Sequence, residues 1–179
     1  MVNVFFAEGF EEIEALTVVD ILRRVGIETE MISVTGSLDV TGAHGITVKM
    51  DGLFEDKKDG DMIVLPGGMP GTLNLLAHQG LTDLVKKYCA EGKYIAAICA
   101  APTVFGKLGL LKERRATCYP GMEDELFCEE ALQDAVVVDG KIVTSRGMGT
   151  AIDFALALVT LLLDEEVAEN MATKIVYNV

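Results

Sequence analysis

The sequence predicts an α/β domain built on a largely parallel β-sheet. Short apolar runs bounded by turn residues alternate along the chain with longer segments of helical period. Half of the 179 residues are hydrophobic and 24% are charged, which excludes disordered, collagen-like and disulfide-scaffold classes. The chain shows no linker, repeat or low-complexity tract, so a single domain over residues 1–179 is expected.

Six short apolar runs are predicted as strands, at residues 2–7, 30–34, 62–65, 95–98, 136–138 and 142–144. Five segments are predicted as helices, at residues 11–25, 81–91, 100–108, 150–163 and 165–174. The dipeptide Asp139-Gly140 is a two-residue hairpin signal, and the stretch 42–45 indicates a second hairpin. The sheet is therefore expected to carry an antiparallel excursion.

The helix at residues 11–25 has the clearest boundaries. Acidic residues occupy its first turn, Arg23 and Arg24 its last turn, and Gly26 ends it, an arrangement that complements the helix dipole. Its apolar band is wider than one sheet face needs. That excess indicates either a dimer interface or a deeply buried helix.

The charge balance and the cysteines limit the function classes. Lys and Arg total 15 against 28 Asp and Glu, a net charge of −13, so neither nucleic acid nor a membrane is expected as a partner. The apolar stretch 154–163 is about half a membrane span, and the first residues do not resemble a signal peptide, so a cytoplasmic location is expected. The four cysteines are predicted to be reduced thiols. Because the cysteines and histidines lack zinc-ligand spacing, no metal is expected.

Cys99 is the first candidate for chemistry. Residues 94–103 read YIAAICAAPT, an apolar strand that runs into a cysteine, small residues and a proline suited to the first turn of a helix. This context is that of a nucleophile elbow at the carboxyl end of a strand, where a helix N-terminus stabilises a thiolate. The alternative is a small, buried apolar residue.

The next candidates are Gly67 and Gly68. Residues 62–71 read MIVLPGGMPG, a buried strand followed by a glycine-rich turn that contains both glycines. Consecutive glycines let the backbone approach a ligand closely and present N–H groups to an oxyanion. The alternative is a plain tight turn. A Walker loop is excluded because no Gly-Lys-Ser/Thr follows.

Glu14 is the most promising of four carboxylates between residues 8 and 14. It heads an apolar helical stripe formed by Val18, Ile21, Leu22 and Val25, so we expect it to be buried. Burial raises the pKa of a carboxyl group, which suits Glu14 to hold or accept a proton near neutral pH. The alternative is that all four acids lie in water and complement the helix dipole.

Arg146 lies in the segment SRGMGT, residues 145–150, which follows a strand and opens a helix. The dinucleotide pattern G-x-G-x-x-G fails at Ile152, so a helix-capping turn at Thr150 is favoured. Arg146 is then available to orient a neighbouring group or a ligand.

Together, the motifs E-E-x-E, L-P-G-G, A-A-I-C-A-A-P and T-S-R-G-M-G-T resemble the ThiJ/PfpI superfamily over essentially the whole chain. The resemblance is closest to the branch of the parkinsonism-associated redox-sensing protein and its bacterial relatives. It implies a flavodoxin-like three-layer sandwich and a homodimer. It also implies that Cys99 is the elbow cysteine, that Glu14 is its protonated acidic partner, and that Gly67, Gly68 and the amide of Ala100 line the oxyanion site.

Two positions depart from the pattern of that superfamily. Ala100 stands where the protease-like branch has a histidine, and Tyr119 stands where some members have a histidine before a proline. Tyrosine, with an ordinary pKa of ~10, is no base at neutral pH, so proton transfer falls to Glu14 or water. His44 lies in the hairpin that carries an active-site basic residue in relatives. It is either a substitute for that basic residue or a surface histidine. Cys118 is a candidate second redox thiol.

The residues and the resemblance together favour a cysteine-dependent enzyme that needs no cofactor and acts on reactive carbonyls. It would hydrate methylglyoxal or glyoxal in the manner of a glyoxalase III, or remove early glycation adducts as a deglycase. The alternative is a redox sensor or chaperone in which Cys99 oxidises without turnover. An amidase or peptidase would need a histidine partner that neither His44 nor His78 obviously supplies.

Overall fold

The fold is organised around a seven-stranded β-sheet in the computed structural model, which describes residues 1–177. In chain order, the strands are β1 (Val2–Phe6), β2 (Thr29–Ser33), β3 (Asp39–Thr41), β4 (Thr47–Lys49), β5 (Gly52–Leu53), β6 (Met62–Leu65), β7 (Tyr94–Ile98), β8 (Arg115–Ala116), β9 (Glu130–Ala131), β10 (Val136–Asp139) and β11 (Ile142–Ser145). The helices are α1 (Glu12–Arg24), α2 (Gly71–Ala77), α3 (Gln79–Ala90), α4 (Pro102–Lys107), α5 (Ala151–Leu162) and α6 (Glu165–Lys174).

The strand order of the main sheet is β10-β11-β7-β6-β1-β2-β5. All neighbours pair in parallel except β10 and β11, which form an antiparallel hairpin at one edge. Because β1, β6, β7 and β11 run in the same direction, their carboxyl ends meet at one edge of the sheet. The predicted α/β class with a mostly parallel sheet is confirmed.

Helices cover both faces of this sheet. Along β1, Val2, Val4 and Phe6 point into the core beneath α1, α5 and α6, whereas Phe5 points into the core beneath α2, α3 and α4. Strands buried on both faces read as continuous apolar runs, which explains why the sequence shows them so clearly. The result is the three-layer, flavodoxin-like sandwich that was expected. Among the helices within residues 1–177, none is both long and apolar enough to cross a membrane.

Most of the wide apolar band of helix α1 is buried inside the molecule. Val18 and Leu22 are fully buried in the core shared with the sheet, and α1 also packs along α5. Ile13 at the start of the helix is 50% exposed. The band therefore reflects a helix wedged between the sheet and a neighbouring helix, with an apolar remainder on the surface.

The hairpins differ slightly from their predictions. The β10–β11 loop consists of Gly140 and Lys141, one residue later than predicted, because Asp139 still pairs with Ile142 and its carboxylate accepts hydrogen bonds from Arg114 and the Arg115 N–H. The hairpin indicated at residues 42–45 is present as β3 and β4. Helix α2 escaped prediction because its start lies in a run of Gly and Pro, the strongest helix-breaking signals in the chain.

The packing of α4 against the loop before β9 gives a first test of the fold. A Cβ at Gly106 would lie 2.5 Å from the carbonyl oxygens of Glu125 and Leu126, so Gly106→Ala must push two backbone segments apart. We expect a loss of about 1–3 kcal/mol in the free energy of unfolding, measured in urea. The control is Gly149→Ala, where a Cβ meets nothing within 4 Å. Equal stability of the two variants would contradict this packing.

Candidate active site

A cleft of about 590 Å³ opens at the sheet edge where the carboxyl ends of β1, β6, β7 and β11 meet. Each of the loops that follow these strands contributes to its wall, as expected for a doubly wound sheet. The β3–β4 hairpin and the segment after β8 complete the wall. The lining residues are Glu11, Glu14, His44, Gly68, Met69, Cys99, Ala100, Tyr119, Pro120, Met122 and Met148.

Cys99 occupies the turn between β7 and α4 and is 8% exposed. Its φ of 101° lies in the left-handed region that non-glycine residues rarely adopt. The turn is held by a hydrogen bond from the Ala101 N–H to the carbonyl of Ile98 and by another from the Tyr119 N–H to the carbonyl of Cys99. This strained strand-to-helix turn has the geometry of a nucleophile elbow.

Glu14 lies beside Cys99 and is 1% exposed. Its Oε2 accepts a 3.0 Å hydrogen bond from the Gly67 N–H, and its side chain hydrogen-bonds with Cys99. Burial and the nearby charge of Glu11 raise the pKa of Glu14 to about 7, against the opposing effect of the hydrogen bonds with Cys99 and Gly67. The carboxyl can therefore exchange a proton near neutral pH.

The charge of Cys99 depends on the proton of Glu14. Burial and an ionised Glu14 raise the pKa of the Cys99 thiol, whereas a hydrogen bond from the Ala100 N–H lowers it. A protonated Glu14 carries no charge and can donate its O–H to Sγ. Because two negative charges in this buried space repel strongly, the pair holds one charge far more readily than two, and a thiolate requires the proton to stay on Glu14.

Gly67 is the spacer between these two side chains. A Cβ at this position would lie 2.7 Å from the Cβ of Cys99 and 2.7 Å from Oε2 of Glu14, so only glycine fits. Its N–H is occupied by Glu14, which gives it a positioning role that differs from the oxyanion donor expected from the sequence. Within residues 1–177, the Gly68 N–H has no protein acceptor, and the Ala100 N–H faces the sulfur.

His44 reaches the mouth of the cleft from the β3–β4 hairpin. Its backbone N–H donates to Oε1 of Glu12 at 2.7 Å, and its Nδ1 bonds Oε2 of the same carboxylate at 2.8 Å. The hydrogen bond to Glu12 and the charge of Glu11 raise the pKa of His44. Ligand atoms of His44, Glu11 and Glu12 lie within 4.8 Å of one another, although both Glu12 oxygens are already engaged by His44. The sequence had indicated no metal-ligand group here.

The remaining sequence candidates divide between the cleft and its surroundings. Tyr119 is exposed on the cleft wall, with its ring 3.5 Å from the position a Cβ of Gly147 would take. Arg146 turns away and donates Nη1 to the carbonyl of Gln133 at 3.0 Å. Cys118 is buried outside the cleft lining with its thiol donating to the carbonyl of Tyr119, and burial raises its pKa to about 12. The role of Cys118 as a second redox thiol stays a prediction.

Several residues that line the cleft or hold its lining in place were missed by the sequence reasoning. Glu12 is buried although it is one of four neighbouring acids, and its partner His44 is distant in sequence. Met69, Met122 and Met148 form much of the cleft rim. Met69 and Met148 stand directly beside the glycines of two motifs, and this adjacency was the available signal.

The architecture agrees with the comparison to known proteins. Residues 1–161 match the family model described as DJ-1/PfpI family. The chain belongs to the DJ-1/PfpI family. It is 42% identical over 174 residues to protein DJ-1 homolog B of Arabidopsis thaliana, an alignment that covers 95% of this chain and 40% of that protein. The chain thus spans less than half the length of this plant relative.

Two further relatives are similar to this chain over most of its length. A protein of the archaeon Pyrococcus abyssi that is named a deglycase is 35% identical over 153 residues, covering 83% of this chain and 90% of that protein. The solved structure of oxidized Toxoplasma gondii DJ-1 superposes with a TM-score of 0.95 at 39% identity, over 99% of this chain and 98% of that chain. Both relatives are matched over nearly their whole length.

The raised pKa of Glu14 predicts a specific pH dependence of stability. A carboxyl whose pKa is about 7 when folded, against an ordinary 4.5, stabilises the fold below pH 4.5 and loses that contribution as pH rises through 7. Compared with Glu14→Gln, the wild-type protein should lose roughly 3 kcal/mol across this window, or less where Cys99 shares the charge. Urea unfolding at several pH values measures the difference. Parallel pH profiles of the two proteins would show that Glu14 does not titrate in this range.

Proposed function

We propose that this DJ-1/PfpI protein is a cysteine-dependent enzyme that converts reactive 1,2-dicarbonyl compounds into 2-hydroxy acids without a cofactor. The observation that carries the proposal is the buried Cys99–Glu14 pair at the floor of an open cleft, with one proton to exchange near pH 7. The archaeal relative named a deglycase supports carbonyl chemistry at this site. Deglycation is the related reaction in which the carbonyl compound arrives already bound to an amine or thiol.

The first step is attack of the Cys99 thiolate on the aldehyde carbon of methylglyoxal. The carbonyl π electrons move onto oxygen, which takes the proton from Glu14, and the product is a hemithioacetal. The N–H groups of Gly68 and Ala100 are the donors best placed to stabilise the developing oxyanion, because that of Gly67 is held by Glu14. Glu14 is left as a carboxylate beside the new C–S bond and the C–H bond of the former aldehyde carbon.

The following steps move two protons and add water. Glu14 removes the proton from the former aldehyde carbon and returns it to the neighbouring carbon through an enediol, while the hydroxyl proton of the hemithioacetal passes to the former ketone oxygen, and the product is a thioester of the 2-hydroxy acid. Water then cleaves the C–S bond, which releases the acid and regenerates Cys99. The aldehyde carbon is oxidised and the ketone carbon is reduced within one molecule, so no external oxidant or reductant is consumed.

Turnover of methylglyoxal in an amine-free buffer, with lactate identified by NMR, tests this mechanism. Cys99→Ala should fall to the uncatalysed rate, and Glu14→Gln should lose on the order of a hundredfold or more in kcat/KM, because glutamine cannot transfer a proton. The control is Cys89→Ala on α3, outside the cleft, which should retain full activity. Lactate formation that survives Cys99→Ala would rule out the proposed nucleophile.

Redox sensing through Cys99 is the second candidate function. A thiolate stabilised beside a protonated carboxyl is prone to oxidation, and the related Toxoplasma gondii structure is of an oxidized protein. Peroxide separates the two candidates, since it should abolish turnover in an enzyme and switch on the response of a sensor. A cytoplasmic location and a chaperone activity remain predictions from the sequence.

We also propose that the chain forms a homodimer through the exposed end of α1. A shallow depression is lined by apolar side chains from α1, the β3–β4 hairpin, α5 and the end of α6, namely Ile13, Leu16, Ile46, Ile152 and Ile175. The charged residues Glu12, Asp20, Arg24 and Lys174 line the same depression. Exposed apolar side chains accompanied by polar ones are typical of an association surface. The surface lies next to Glu12 and His44, so pairing there would also support the wall of the cleft.

The dimer is tested by the mass of the protein in solution, measured by light scattering during size-exclusion chromatography. Wild-type protein should elute with twice the chain mass of 19.3 kDa, and Ile13→Lys should elute as a monomer because it places a charge in the apolar surface. Leu73→Lys is the matched control, since Leu73 is 51% exposed, close to the 50% of Ile13, but lies on α2. A dimeric Ile13→Lys protein would place the interface elsewhere.

A further inference from the structure

The rim of the cleft above Cys99 is built from methionines. Met69 follows the glycines after β6, Met148 follows Gly147 after β11, and Met122 lies in the segment after β8. Tyr119 adds an aromatic ring to the same wall. Thioether side chains are flexible and polarisable, and they pack well against both alkyl and aromatic groups.

The charged side chains that line the cleft are two acids and one histidine. They are Glu11, Glu14 and His44, and the His44 ring is already paired with the buried carboxylate of Glu12. Within the described residues, no Lys or Arg lines the cleft, and Arg146, which follows β11, donates to the carbonyl of Gln133 instead. A ligand carboxylate or phosphate therefore meets neither a guanidinium fork nor a free ammonium group.

We propose that this cleft selects uncharged carbonyl compounds that carry an apolar alkyl or aryl group, and that it rejects those bearing a carboxylate or phosphate. This inference rests on the proposed carbonyl chemistry and names its substrate class. The apolar group lies against Met148, Met69 and Tyr119 while the carbonyl carbon reaches Cys99. The Glu11 carboxylate on the cleft wall repels an anion.

Alkylation of Cys99 measures this selectivity independently of turnover. The probes are iodoacetamide, iodoacetate and N-benzyliodoacetamide, which share a leaving group and differ in charge or apolar size. Rates at Cys99 are followed by mass spectrometry of the cysteine peptide and divided by those of an uncharged small thiol. The benzyl-to-amide ratio should exceed that of the small thiol about tenfold through burial of the ring. The acetate-to-amide ratio should fall about tenfold below it through repulsion.

Variants of Met148 separate the apolar and electrostatic parts. Met148→Gln should lower the benzyl preference and leave the iodoacetate ratio unchanged, whereas Met148→Lys should also raise the iodoacetate ratio about tenfold. Leu163→Lys is the control because it makes the same change in net charge at 48% exposure, against 53% for Met148, at the end of α5 that lies away from the cleft edge. Wild-type ratios equal to those of the small thiol, or identical behaviour of the two lysine variants, would overturn the proposal.

Turnover of phenylglyoxal, methylglyoxal and 4-carboxyphenylglyoxal, all 2-oxoaldehydes, distinguishes failure of this inference from failure of the proposed function. We expect kcat/KM to decrease in that order. Turnover of all three without such an order contradicts the selectivity and leaves the carbonyl enzyme standing. Absence of turnover with all three, together with the expected alkylation ratios, contradicts the enzyme and supports the cleft as a selector of neutral apolar electrophiles.

Discussion

The site depends on one buried contact, the approach of the Glu14 carboxyl to the Cys99 thiol across Gly67. The carboxyl is almost without solvent, and its protein partners at the site are the Gly67 N–H and the sulfur. A buried pair of acids can hold one negative charge much more readily than two. The contact therefore keeps one proton in the site and lets that proton pass between carboxyl and sulfur.

The rest of the fold can be understood as the means of making this contact. Glu14 comes from a helix after β1, Gly67 from the turn after β6, and Cys99 from the elbow after β7, three adjacent parallel strands. The separation of neighbouring strands brings these three segments close together. Because Gly67, in the middle, has no side chain, the side chains of Glu14 and Cys99 can touch across it. The positive φ of Cys99 then turns the sulfur toward the carboxyl rather than into the core.

The sequence predicted the parts of this arrangement that are encoded locally. Strands buried on both faces give unbroken apolar runs, and the burial of Glu14 follows from its place at the head of the stripe that includes Val18 and Leu22. The occupied N–H of Gly67 could not be predicted, because it depends on where α1 rests across the strands. The partner of Arg146 could not be predicted either. Its motif places Arg146 near the cleft, but the carbonyl that it binds belongs to Gln133, which lies in another loop of the chain.

Glu12 and Glu14 show how strongly the pKa of a buried carboxyl group depends on such long-range partners. Both are buried on the same helix, two positions apart. Burial acts to raise the pKa of Glu12, but the His44 ring, the backbone N–H groups and the His44 charge outweigh it and lower the pKa. Glu14 has no cation beside it, so burial prevails and its pKa rises to about 7. The β3–β4 hairpin thus neutralises one carboxylate, which fixes the wall of the cleft, and leaves the other free to carry a proton.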